Sequence, residues 1–585
     1  MTDTAIEPST VPAARLETER PGLSVFNLSP RWTRIFIGAL ALLTIVRVLL
    51  PYVLRQDKYH SDACQHVWWT YKFADPQLFP NDYIEQFMSL PIFAPRGWRM
   101  LFQVFAPFVD AQVFSEILAI GLGACIWIFA FLLGRAAARG AYLGGLIAGI
   151  YLVYAELTND VVGGFARSFG SPVLMFGLWT LMTNRLPLFG AALLIGSLMY
   201  PPVCITLGLT AAISLGWPIL RDRKLPKGWL PMGVLGLIAF LLIASAYLRQ
   251  QPGAGHKTTG EEARTMPEFQ EGGRSEFWGF KWKDFWFSKQ RSGLGVRFEK
   301  LIYMGVFVGV SAWLFRGLLP PAAWAMLFSS LGIFVAAHLM LFKLYLPNRH
   351  TAFAVPLFGM LWLCAVIPRA LELLARDERI RRAIDALTSP RARVAAGVVT
   401  IVLYTPVVGA WVYTTMVNYP HDKLTWRWVD GWDEAAAFLR DNTPKDTLVA
   451  AHPFDADRIP LLARRSVLAN RETAMAFFMG FYQKVPERIE AELAATYASD
   501  WADVDKLAEY GVDVFFINTR RLWSQNSVAY HHPHRDRNMQ RYRENREKGF
   551  VLANPPPERV IYKSKSGLVM LVRVGPPKEA DRQIE

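Results

Sequence analysis

The chain has 585 residues, of which 52% are hydrophobic and only 19% charged, and this excludes a water-soluble globule for most of its length. The 63 Lys and Arg against 49 Asp and Glu leave +14, a surplus that would point to nucleic acid in a soluble protein but marks cytoplasmic loops in a membrane protein. Four cysteines exclude a disulfide framework: Cys125, Cys204 and Cys364 lie in apolar runs, and Cys64 alone falls in a polar stretch.

Residues 1–32, with Pro8, Pro12 and Pro21 among several charges, read as a disordered cytoplasmic tail. The apolar run that follows ends in Arg47 and Pro51 rather than in a small-residue cleavage site, so it is a retained helix and not a signal peptide. Stretches long enough to cross a bilayer core of about 30 Å then recur at 33–54, 111–134, 140–157, 169–183, 186–200, 202–217, 229–248, 299–316, 320–341, 352–368 and 395–416, about eleven crossings. The stretch from Leu186 to Trp217 is either one kinked helix or two short ones broken at Tyr200, Pro201 and Pro202. Two helices put Arg221, Arg223, Lys224 and Lys227 on the same side as Arg135, Arg139 and the run from Arg376 to Arg393, which satisfies the positive-inside rule.

That topology leaves the N-terminus cytoplasmic and divides the chain into a transmembrane domain, 33–416, with long outer loops at 55–110 and 249–298, and an outer domain, 417–585. In the latter, Leu448–Ala451, Val512–Ile517, Arg559–Tyr562 and Leu568–Val574 alternate as strands, while Asp433–Asp441, Pro486–Ser499 and Asp503–Gly511 read as helices, the last stopped by its glycine. The expected fold is a polytopic α-helical membrane protein with a C-terminal extracytoplasmic α/β domain.

The outer loops carry the candidate chemistry. The first begins His60-Ser61-Asp62-Ala63-Cys64-Gln65-His66 directly after a transmembrane helix. A carboxylate there can accept a proton from an acceptor at the membrane surface. On a helix, Asp62 and His66 share a face at i, i+4 with His60 nearby, so a divalent-cation site is conceivable, as is plain capping of an interfacial helix. The second loop holds Asp160, then Gly163-Gly164 and Arg167. Paired glycines allow close approach of a ligand or a helix, and Arg167 can reach a phosphate or a sugar. Lys343, Arg349 and His350 interrupt two apolar helices at the outer face, where the positive-inside rule disfavours cations. A guanidinium fork beside a lysine suits a phosphate. The long loop from Arg249 to Phe298 carries Glu268, Glu271 and Arg274, which form either a lid over a site or, more simply, a solvated charge run; its aromatic half, Trp278 to Phe287, suits the headgroup layer.

No GxxxxGK[ST], GxSxG, HExxH or CxxC pattern occurs. Ionisable residues in the spans are scarce beyond Glu116, Glu156 and His338, which argues against a proton-coupled transporter. This plan, an acidic first outer loop, about eleven spans, a long late outer loop, an arginine at an outer helix end and an outer C-terminal domain, resembles the GT-C class of integral-membrane glycosyltransferases. That class includes the protein mannosyltransferases and the catalytic subunit of oligosaccharyltransferase. The phrases His60–Trp69 with Asp75–Asp82, Gly163–Gly170, Met266–Arg274 and Leu346–Arg349 look like those of uncharacterised bacterial GT-C-like membrane proteins.

The resemblance implies an inverting transfer from a polyprenyl-phosphate-linked sugar donor to a glycan, lipid or protein acceptor, at the outer face of a bacterial inner membrane. It matches Asp62 to the catalytic acidic residue of the first loop and Arg349 to the arginine that holds the lipid phosphate, with Lys343 and Arg167 as further phosphate contacts. Many relatives carry two neighbouring acidic residues where this chain has Asp62 between Ser61 and Ala63, which leaves Asp57 or Asp160 as a second carboxylate. The competing readings are a non-catalytic transporter of lipid-linked saccharides and an envelope scaffold; nucleic acid is not an expected partner.

Overall fold

The computed structural model describes residues 61–139, 142–154, 161, 163–248, 253–315, 317–374 and 429–575, with isolated positions near 35–42 and 377–382. The expected spans 33–54 and 395–416, the N-terminal tail, and His60, Asp57, Glu156 and Asp160 lie outside these described residues, apart from single positions in the first span.

Five helices among the described residues are long and apolar enough to cross a membrane: Ala111–Ala137, Pro201–Asp222, Trp229–Ala246, Pro321–Leu339 and Asn348–Leu374. The other expected spans that are described fall on helices too short to qualify, Tyr142–Tyr154, Gly170–Met182, Leu186–Met199 and Phe298–Leu314, so eleven crossings are not established. The ambiguous stretch resolves into two helices because Tyr200 leaves helical geometry (φ −150°, ψ 86°) and Pro201 and Pro202 open the next one, where a missing N–H costs nothing. Large apolar side chains face outward along the bundle, such as Phe240 at 65% and Trp313 at 77% exposure, a surface that only lipid would cover.

Close packing inside the bundle relies on small residues. A Cβ on Gly134 would lie 2.3 Å from the Gly144 carbonyl oxygen, so the helices Ala111–Ala137 and Tyr142–Tyr154 meet backbone to backbone. The bundle has two distinct ends. At one, Arg139 donates from Nη2 to the Gly317 carbonyl (3.1 Å) and Gly228 lies against Pro187, so loops expected on the cytoplasmic side gather together. At the other, Trp98 donates to the Gly164 carbonyl (3.0 Å) and Tyr200 packs on Phe353.

The C-terminal domain sits on this second end. Its strands are β1 (Leu448–Ala451), β2 (Ser466–Val467), β3 (Val514–Asn518), β4 (Val560–Lys563) and β5 (Val569–Arg573), in the order β2-β1-β3-β5-β4. β1 runs parallel to β2 and β3, with Val449 opposite Val514, and β5 runs antiparallel to β3 and β4. A parallel neighbour requires a crossover, and the segment from β2 to β3 supplies it with the helix Val485–Thr496. The expected strands and helices are all present in this domain, within a few residues of their expected ends. The polar helix Arg535–Arg546 and the two-residue β2 are additions.

The domain is clamped to the outer loops by backbone and rings. Thr258, Met479 and Gly480 donate amides to Phe477, His256 and Ala254 carbonyls (2.9 to 3.1 Å). Phe481 stacks on Phe87 with centroids 3.7 Å apart. The loops that leave the carboxyl ends of β1 and β2 carry Asp457, Arg458, Arg471 and Glu472 to this seam, the side of a parallel sheet where ligands generally bind.

Candidate functional site

Asp62 lies in the first turn of the helix Ser61–His66, with His66 in its last turn, so the expected i, i+4 relation holds. Arg167 comes from the 3-10 turn Ala166–Phe169 and donates from Nη2 to Asp62 Oδ2 at 2.5 Å. Its guanidinium lies 5.0 Å from the centroid of Phe165, and Phe165 stacks on His66 (5.8 Å, 21°). The glycines before it are required: Gly164 has φ +58°, and a Cβ there would lie 2.2 Å from the Ser115 carbonyl oxygen. The two glycines therefore serve close approach to a helix.

Cys64, on the same helix, is 3% exposed rather than solvated. Burial pushes its thiol up to about 12 against the pull of Arg458, which makes it a packing residue and not a nucleophile. Asp62 pairs with Arg167 and His66 stacks on Phe165, and no group of three metal-ligating side chains occurs among the described residues.

One helical turn from Asp62, Gln65 donates from Nε2 to the Glu472 carbonyl (3.1 Å), and Glu472 is where bundle and cap join. Its carboxylate takes Arg274 Nη2 at 2.8 Å on one oxygen and Arg471 on the other. Its amide donates to Asp457 Oδ1 (2.7 Å), while Asp457 Oδ2 receives Arg471 Nε (3.2 Å). Arg274 Nε completes the lattice by donating to the Arg471 carbonyl at 2.8 Å. Burial raises Asp457 above the ordinary carboxylate range, opposed by Arg471 and Arg274.

The expectation of a solvated run over Glu268 to Arg274 is corrected here. Arg274 is tied into the cap, and Glu268 is 6% exposed and accepts from Tyr482 Oη at 2.9 Å; only Glu271 of the three faces solvent. The charges of this loop are buried because the cap folds back onto it.

Arg291 was not legible as a site residue. Its Nη1 donates to the carbonyls of Arg274 (3.0 Å) and Glu276 (3.3 Å), and its own carbonyl accepts from the Asn348 amide (3.2 Å). These bonds set Arg349, the next residue, beside Arg291. Arg291 makes no ion pair among the described residues, although the Glu276 charge acts on it. Burial, then the charges of Arg274 and Arg349, pull it down to about 9, which leaves it cationic at pH 7. Arg349 and Lys343 likewise make no ion pair among the described residues.

Lys343 is exposed, and its carbonyl accepts from Lys257 Nζ (3.2 Å), so it stands at the rim. His350 is buried, its Nε2 bonded to the Leu344 carbonyl (3.1 Å) and its carbonyl bonded by Ser330 Oγ (2.6 Å). It braces the loop that presents Arg349. Asp62, Gln65, Arg274, Arg291 and Arg349 thus form one hydrogen-bonded and electrostatic succession, and the charge of Asp62 acts on Arg274. A cleft of about 620 Å³ elsewhere along the seam, lined by Tyr71, Asp110, Arg440 and Arg464, includes none of them.

No protein-family model matches the chain, and no curated protein matches it by sequence. Among solved structures, it is similar to the archaeal oligosaccharyltransferase AglB from Archaeoglobus fulgidus in complex with an inhibitory peptide and a dolichol-phosphate. That alignment has 11% identity and a TM-score of 0.46, covering 95% of this chain and 75% of that one. A second structure, an Archaeoglobus fulgidus oligosaccharyltransferase complex with Zn and sulfate, aligns at 12% identity and a TM-score of 0.43, covering 85% and 70%.

Proposed function

We propose that the chain is an integral-membrane glycosyltransferase of the GT-C kind, which moves a sugar from a polyprenyl-phosphate-linked donor to an acceptor at the outer face of a bacterial inner membrane. On this reading the N-terminus is cytoplasmic and residues 417–585 lie outside. The observation that supports it is the run of hydrogen bonds from Gln65, one turn after Asp62, through Glu472 and Arg274 to Arg291 and the Asn348 amide before Arg349, where an apolar bundle ends under a soluble domain. A lipid phosphate approaching along the bundle would reach cations that lack carboxylate partners among the described residues.

In the reaction, the bond from the sugar C1 to the phosphate oxygen breaks, and its electron pair leaves on the lipid phosphate. Arg349 and Arg291, with Lys343 at the rim, stabilise that charge as fixed donors in a site of low dielectric. The acceptor heteroatom forms the new bond to C1 from the opposite face, which inverts the centre, and its proton passes to Asp62. Arg167 holds the Asp62 carboxylate in position through their ion pair, which replaces its expected role on the donor phosphate.

The test is Asp62→Asn in reconstituted membranes supplied with a lipid-phosphate sugar. Transfer should fall about 10²- to 10⁴-fold while donor binding persists. Undiminished transfer by the variant would overturn the assignment.

A further inference from the structure

Beside the arginines stand two cap residues with no role so far, Tyr530 and His531. The His531 ring meets the Gly272 carbonyl through Nδ1 at 3.4 Å, and the neighbouring His532 bridges to Gly273, so the loop that ends in Arg274 is in direct contact with this segment. The ring also packs on Tyr530 (centroids 5.2 Å) and edge-on to Phe454, over which Arg471 lies at 5.5 Å. Tyr530 is 2% exposed. Two buried atoms here, Tyr530 Oη and His531 Nε2, have no hydrogen-bond partner among the described residues.

The protonation of His531 follows from its surroundings. A carbonyl only accepts, so Nδ1 carries the hydrogen in the bond to Gly272. Burial, reinforced by Arg274 and Arg471, pushes the ring down to about 3, so it is neutral at pH 7 and Nε2 is a bare lone pair. The arginines around it can only donate. An ionised phosphate diester can only accept, and it cannot satisfy Nε2. A hydroxyl can: it donates to Nε2 and accepts from a phenol or a guanidinium.

We propose that the Tyr530–His531 pair of the cap recognises a hydroxyl of the transferred sugar, so that the soluble domain reads the sugar while the loop arginines read the phosphate. This rests on the donor class proposed above. A buried polar atom left unpaired carries a desolvation cost, and a substrate that supplies the missing partner is favoured over one lacking that hydroxyl.

The experiment measures binding to the full-length protein in nanodiscs of farnesyl phosphate, of farnesyl-phosphate mannose, glucose and galactose, and of the singly deoxygenated forms of the best binder. The wild type should bind one hexose form more tightly than farnesyl phosphate, and should lose about 3- to 10-fold on removal of one hydroxyl. His531→Phe should lose the same factor with the intact sugar, lose nothing further with that deoxy form, and bind farnesyl phosphate like the wild type. His531→Gln, which keeps an acceptor, should recover part of the loss, and Tyr530→Phe should weaken only the hexose forms. If wild-type protein fails to bind farnesyl phosphate, the phosphate reading itself fails. If farnesyl phosphate binds but no hexose form binds better, or His531→Phe weakens both ligands equally, recognition by this pair is overturned and the earlier reading stands.

Discussion

Arg291 and Arg274 are both buried guanidiniums, but they should respond in opposite ways to neutralisation. Holding Arg291 at about 9 against its ordinary 12.5 corresponds to about 5 kcal/mol of unfavourable burial and like-charge repulsion. Its two hydrogen bonds to the Arg274 and Glu276 carbonyls return about 3 kcal/mol. Arg291→Gln, whose amide can keep one carbonyl, should therefore leave the unliganded protein as stable as the wild type or about 2 kcal/mol more stable. Arg274→Gln removes one of the two cations on Glu472, and breaking a buried pair costs about 3 kcal/mol. Thermal unfolding of the detergent-solubilised chain, with and without a short-chain lipid phosphate, reads both effects. At 100 times Kd the ligand should stabilise the wild type by about 2.7 kcal/mol. If Arg291 is a phosphate ligand, its loss should lower affinity about 100-fold and reduce that gain to about 0.4 kcal/mol. The reasoning is refuted if Arg291→Gln unfolds as early as Arg274→Gln, or keeps the full ligand-dependent gain.

Two further predictions concern the parts that hold the site in place. Gly164→Ala should weaken transfer and lower Tm together, because its Cβ would overlap the Ser115 carbonyl in a backbone conformation at φ +58°, and overpacking of this kind costs about 1 to 3 kcal/mol; a variant with wild-type Tm would show that the loop does not need its close approach. In the cap, burial by itself would raise Glu490, but hydrogen bonds from His534 (3.0 Å) and Arg541 (2.7 Å), with their charges, hold it at about 2. The stabilisation this gives is present above the ordinary value of 4.5 and fades as pH falls from there through about 2. Glu490→Gln should thus melt below the wild type by the equivalent of about 2 kcal/mol at pH 7, after solvent screening is allowed for, and match it near pH 2. A pH-independent difference would assign the loss to packing.

The bundle was legible because apolar length and two prolines suffice to place helices, and the cap's strands because alternation survives even in short segments. The helix Arg535–Arg546 escaped notice for the opposite reason: RDRNMQRYRENR has no apolar stripe to give a period. Asp62, Arg167 and Arg349 could be singled out as charges next to helix ends on the side expected to be outer. Arg291 could not, since in SKQRSGLG it resembles any loop cation, and its burial depends on Phe477 and its neighbours, which pack on it from the cap. The one available signal was its sign, positive on the face expected to be outer, where cations are disfavoured, the same signal that selected Lys343 and Arg349. Glu472 and Asp457 carried no signal, because their role consists entirely of contacts across the seam.

That seam also explains where the surplus charge lies. Arg167 is matched by Asp62, and Arg274 and Arg471 share Glu472 and Asp457, so each of these cations has a carboxylate. Arg291 and Arg349 make no ion pair among the described residues, and they adjoin one another through the Asn348 amide. Two adjacent, half-buried cations could be relieved by one carboxylate in the sequence, as Glu472 relieves Arg274. Their persistence without one keeps a positive potential at the end of the bundle. On the proposed reading, an anion that arrives there would be stabilised by donors already held in place, and little reorganisation would oppose its binding. The matched pairs around it, spread over cap and loops, fix the geometry but contribute little net charge, so on the proposed reading the anion's affinity would rest on Arg291 and Arg349, with Lys343 at the rim.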